Sequence, residues 1–185
     1  MKMHLLAASA CVLSMALPAP ALASASASPL GAHAVQVARA SHSEWKFMRT
    51  AGGLGQALIA TGKLAQARGQ DVATRRFGKA VAQESAAMLR ELSLLSLLTQ
   101  VPLPSRPNRQ ERKALRELKQ LSTGAFDRAV GKHAGELLQR LVALLEQESA
   151  AGKDQALRAL AREYLPALRD RLGEARSLAD PATQP

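Results

Sequence analysis

Between residues 155 and 178 the apolar side chains fall at Leu157, Leu160, Tyr164, Leu168, Leu172, Ala175 and Leu178. A spacing of three and four puts them all on one face of an α-helix and on no single face of a strand. Stripes of the same period recur upstream, so the chain must fold as several amphipathic helices that bury one another's apolar faces. The first runs from Glu44 to Arg68 through Met48, Gly52, Gly55, Ile59 and Gly62, with Trp45 just ahead of the stripe. Gly69-Gln70-Asp71 closes it, the glycine as a stop and Asp71 as the N-cap of the next helix. That second helix extends from Val72 to about Leu98 on Phe77, Val81, Met88, Leu92 and Leu95.

The prolines of Val101-Pro102-Leu103-Pro104-Ser105-Arg106-Pro107 forbid helix and predict an extended crossover. Asn108 caps a short third helix, Arg109 to Leu121, with Ala114, Leu115, Leu118 and Leu121 as its narrow apolar side. After Ser122-Thr123-Gly124 a fourth helix, Ala125 to about Ser149, turns Phe126, Val130, Leu137, Leu141, Leu144 and Leu145 inward. Gly152 ends it and Asp154 caps the fifth, Gln155 to Leu178, which Pro166 should kink. The expected fold class is all-α, an up-down four-helix bundle with an extra short helix in the crossover. The glycines of the first helix each cost about 1 kcal/mol relative to Ala, and a close approach by a neighbouring backbone is the compensation expected. Leu92, Leu94, Leu95, Leu97 and Leu98 surround the end of the second helix, which predicts burial beneath the crossover in preference to contact with lipid.

Residues 1–23 read as a secretory signal, with Lys2, an apolar run from Leu5 to Leu17, and Ala21-Leu22-Ala23 before the cleavage point. The apolar run is shorter than the roughly 20 residues that span a bilayer. The expectation is export to the periplasm or beyond, with cleavage after Ala23 and no transmembrane segment in the mature form. Residues 24–42 then form a linker rich in Ala and Ser, residues 43–180 the bundle domain, and 181–185 a tail. The single cysteine, Cys11, lies within the signal, which leaves the exported part without a disulfide or a thiol ligand. Basic residues outnumber acidic ones by 25 to 15, a surplus that favours anionic partners such as an envelope surface or an acidic protein. Nucleic acid is not expected, because one Trp, one Tyr and three Phe supply little surface for stacking bases.

No catalytic constellation is visible. There is no Ser/His/Asp pattern, no Cys/His ligand spacing, and Gly52-Gly53-x-Gly55 lies inside a helical pattern where a phosphate loop would need a strand. The only candidates for metal are Glu84 and Glu91, on the border of the second helix's stripe, and His133 on the fourth, whose nearest acid in sequence is Glu136. A di-iron bundle site wants Glu-x-x-His pairs, and His133 and Glu136 stand in the reverse order. These residues are therefore expected to form border contacts, and no metal or other cofactor is assigned. The third helix offers Arg109, Arg112, Lys113, Arg116 and Lys119 against Glu111 and Glu117, an ordinary solvated face or, as the functional alternative, a patch for anionic partners.

Gly62-Lys63-Leu64-Ala65, Ala125-Phe126-Asp127-Arg128-Ala129, Gly152-Lys153-Asp154 and Leu165-Pro166-Ala167-Leu168, in this order behind an export signal, resemble domain of unknown function family 4142. The resemblance covers nearly all of residues 43–178 and implies an exported, ferritin-like four-helix bundle of the kind often labelled an outer-membrane protein. Family members commonly carry an Asp-His pair in the second helix, where this chain has Glu84 and Ser85. Histidines expected in the fourth and fifth helices fall near Leu138 or Gln139 and at Arg171, and acidic residues of the first helix at Leu58 and Ala60. The implied role is a non-enzymatic binding or structural module at the cell envelope. The alternative is a ferritin-like metal or oxidative-stress protein with a degenerate site.

Overall fold

The computed structural model describes residues 40–180, so the signal, most of the linker and the tail lie outside the described residues. Its helices are α1 (His42–Arg68), α2 (Val72–Thr99), α3 (Arg109–Gln120), α4 (Thr123–Ala151) and α5 (Gln155–Ala179). Every expected helix is present within a few residues of its expected ends, and no strand occurs among the described residues. Ser41 and Glu44 close a reciprocal capping box on α1, Asn108 accepts from the Glu111 amide at 2.9 Å, and Asp154 accepts from the Leu157 amide at 2.8 Å. Helix α5 continues through Pro166.

Helices α1 and α2 form one antiparallel hairpin, α4 and α5 the other, and these two pairings are the most extensive in the molecule. Arg68 at the end of α1 lies over the Phe126 ring at the start of α4, so α1 and α4 also run antiparallel. Glu84 meets Arg171 and Glu91 meets Tyr164, which sets α2 antiparallel to α5. The crossover consequently carries the chain back along the bundle, and α2 and α4 point the same way, a correction to the expected up-down order: the long crossover, unlike a tight turn, returns the chain before α4 begins. One apolar interior results, with Met48, Leu58, Met88, Leu92, Leu138, Leu141, Leu145 and Leu168 fully enclosed. Burying each such side chain contributes about 1.5–3 kcal/mol.

The glycine expectation holds most sharply between α1 and α2. A Cβ on Gly62 would come within 2.5 Å of the Gly78 carbonyl oxygen, and one on Gly78 within 2.6 Å of both the Gln66 nitrogen and the Gly62 oxygen. Two backbones therefore touch where no larger residue fits.

Arginines of α1 stitch the crossover down at both ends. Arg49 donates to the Pro102 carbonyl at 2.9 Å, and Arg68 donates to the carbonyls of Leu118, Lys119 and Leu121 at the end of α3, where the helix's own i→i+4 bonds run out. Since the crossover is held on α1, it leaves the end of α2 uncovered. Leu94, Leu97 and Leu98 are 63%, 75% and 63% exposed, a correction to the burial expected for this run.

Asp71 occupies the N-cap position of α2 but makes no side-chain capping bond. The turn is held instead by Asp127 of α4, whose carboxylate accepts from the Gln70 and Asp71 amides at 2.9–3.1 Å.

Candidate functional site

Glu84, Glu91 and His133 each have a partner, and the partners differ. Arg171 of α5 donates through Nε to both carboxylate oxygens of Glu84 at 3.2 Å, while its Nη1 reaches Glu174. Burial holds the Glu84 carboxyl above the usual carboxylate range, and the Arg171 charge offsets this only in part. One of the Glu91 carboxylate oxygens accepts the Tyr164 hydroxyl, and burial together with that bond pushes the phenol's pKa up. Both carboxylates thus meet α5, seven residues and roughly 10 Å of helix rise apart.

His133 is served by α3, where sequence spacing pointed to Glu136. Its Nε2 lies 3.8 Å from Glu111 Oε2, and Glu111 Oε1 accepts from Arg140 at 3.0 Å. The Nε2 atom is buried without a hydrogen-bond partner. Burial pushes the imidazole pKa down, against the opposing pull of Glu111. Among the described residues no three His, Cys, Asp or Glu side chains gather closely enough to hold a metal ion.

The positions singled out by the family resemblance show the same economy. Leu58 and Leu138 are fully enclosed in the core, and Ser85 is buried with its hydroxyl unpartnered. At the fifth-helix position stands Arg171, a permanent cation that neutralises Glu84 and cannot ligate a metal.

The basic helix α3 turns out more one-sided than its sequence suggests. Glu111 is only 4% exposed and points inward to Arg140 and His133, so it no longer balances the outer surface. Arg109, Lys113, Arg116 and Lys119 are exposed, and Glu117 is the remaining acid, 3.7 Å from Lys113 in a solvent-open pair of little strength. Arg112 departs from this set: it is half-buried and donates to the Pro107 carbonyl at 2.7 Å, beside a cleft at the N-terminal end of α3. The anchor role of Arg49 and Arg68 and the turn-binding role of Asp127 were not read from the sequence. Each depends on a partner more than 50 residues away.

Four long helices closed by a short one in the crossover define an all-α helical-bundle protein. Residues 30–178 match the model of the family described as a domain of unknown function (DUF4142), and the chain belongs to that family. No curated protein and no solved structure matches it. None of the described helices is long and apolar enough to cross a membrane.

Proposed function

We propose that this is an exported, periplasmic, non-enzymatic bundle that acts as a binding or structural module at the cell envelope, engaging anionic partners through the outer face of α3. The observation that carries the reading is the inward turn of Glu111, which leaves Arg109, Lys113, Arg116 and Lys119 facing outward against Glu117 alone. Two antiparallel hairpins joined by a long crossover support the ferritin-like comparison as architecture. The interior lends the metal-binding alternative less support, because Glu84 and Glu91 are already engaged by Arg171 and Tyr164.

The exposed Leu94, Leu97 and Leu98 favour a lipid surface among the anionic partners. They stand at the bundle end where Trp45 is also 42% exposed, a pairing of apolar and aromatic groups suited to an interface. Co-sedimentation of the purified mature chain with vesicles tests the reading. Binding is expected with phosphatidylglycerol-containing vesicles, absent with neutral ones, and weakened from 50 to 300 mM salt as screening shortens the reach of surface charge. Salt-insensitive binding, or none, would refute it.

A further inference from the structure

At the N-terminal end of α3 lies an open cleft of about 560 Å³ bounded by α1, the proline crossover, α3 and α4, and none of Arg109, Lys113, Arg116 and Lys119 lines it. Its volume falls within the range of small-molecule sites. Four arginines line it, each from a different element, Arg49 of α1, Arg106 of the crossover, Arg112 of α3 and Arg140 of α4, together with one acid, Glu111. Arg140 is matched by Glu111. Among the described residues no carboxylate lies within ion-pair distance of Arg49, Arg106 or Arg112. Three positive charges therefore converge on one cleft without a counter-charge.

Two of the three are held in place. Arg49 is tied to the Pro102 carbonyl and stacked on Trp45, and Arg112 is tied to the Pro107 carbonyl. Each is fixed through a single Nη1 bond, so further N–H donors of a planar fork remain available. A guanidinium already immobilised loses little entropy when it takes up an anion. The remaining lining includes Leu54, Leu103 and Pro104, an apolar surface for whatever carries the charge.

From this arrangement we propose that the cleft is a binding site for a phosphomonoester carried on a small apolar group. A dianion matches three unpaired cations better than a monoanion does, and forked guanidinium donors suit its several oxygens. The site is distinct from the outer face of α3 and does not depend on it.

Calorimetric titration with phenyl phosphate tests the proposal, with benzenesulfonate as the monoanionic control and vesicles containing phosphatidic acid as the lipid-borne form. Saturable one-to-one binding is expected, tighter for phenyl phosphate than for benzenesulfonate, and about tenfold weaker in Arg49→Gln and in Arg106→Gln. Because Arg49 also anchors the crossover, a second variant guards against misfolding. Gly53 lines the cleft and a Cβ there would meet nothing within 4 Å, so Gly53→Glu introduces a negative charge beside the cleft from a position with open space around its Cβ. That variant should abolish phenyl phosphate binding, whereas a variant neutralising Arg109, Lys113, Arg116 and Lys119 should keep it. In the background of the outer-face variant, phosphatidic acid vesicle binding that Gly53→Glu abolishes would identify a lipid headgroup as the ligand; phenyl phosphate binding without such a vesicle response would identify a soluble one. No saturable binding of either, or equal loss in the outer-face variant, overturns the proposal.

Discussion

At the scale of single residues, two glycines in helices behave oppositely. Gly62 sits where α1 and α2 backbones touch, and Gly173 sits where an added Cβ meets nothing. Gly62→Ala is expected to destabilise by about 1–3 kcal/mol, because the hairpin must separate to admit a methyl group. Gly173→Ala is expected to stabilise by about 0.5–1 kcal/mol through helix propensity. Urea unfolding of the two variants checks both signs. His133 makes a further residue-scale prediction. Burial lowers its pKa below the ordinary 6.5, so the unfolded chain takes up its proton more readily than the folded one. Its contribution is therefore intact above about pH 6.5 and lost as the pH falls through that value. His133→Gln should flatten the fall in stability between pH 7 and pH 5 relative to the parent; an unchanged slope would show that the pull of Glu111 cancels the effect of burial, and a steeper one that it outweighs it.

At the scale of elements, helix ends repay attention. The five helices were legible because each carries its own period and most carry their own stop and cap, all within a few residues of one another. What joins them was not legible. Asp71 looked like the residue that organises the α1–α2 turn, yet that work falls to Asp127, reaching from near the start of α4. Asp127→Ala should cost about 1–3 kcal/mol by removing the charged acceptor of the half-buried Gln70 and Asp71 amide bonds, whereas Asp71→Ala should stay within about 0.5 kcal/mol. Thermal melts of the pair would separate them, and equal losses would return the capping role to Asp71. The leucines at the end of α2 were misread for a related reason. Their period says that the helix is apolar all round there, but whether anything covers it depends on where the crossover is tied, which Arg49 decides from α1.

For the molecule as a whole, the division of charge is the functional statement. Three acidic groups at or near the interior are engaged, Glu84 by Arg171, Glu91 by Tyr164 and Glu111 by Arg140 beside His133, whereas Glu148 of α4 is buried with one carboxylate oxygen unpartnered. Cations are left outside. The candidate residues could be named from the sequence, since Glu84, Glu91 and His133 lie on or beside an apolar stripe and the basic residues of α3 lie opposite one. Their partners could not, because Arg171 is 87 residues from Glu84 and an inward Glu111 looks the same in sequence as an outward one. The most direct test is the affinity for anionic vesicles of two variants, one neutralising Arg109, Lys113, Arg116 and Lys119 and one carrying Glu84→Gln. At about 1 kcal/mol per surface cation, the first should bind on the order of a thousandfold more weakly, while the second binds like the parent. An outer-face variant that still binds, or a Glu84→Gln variant that does not, would contradict the account.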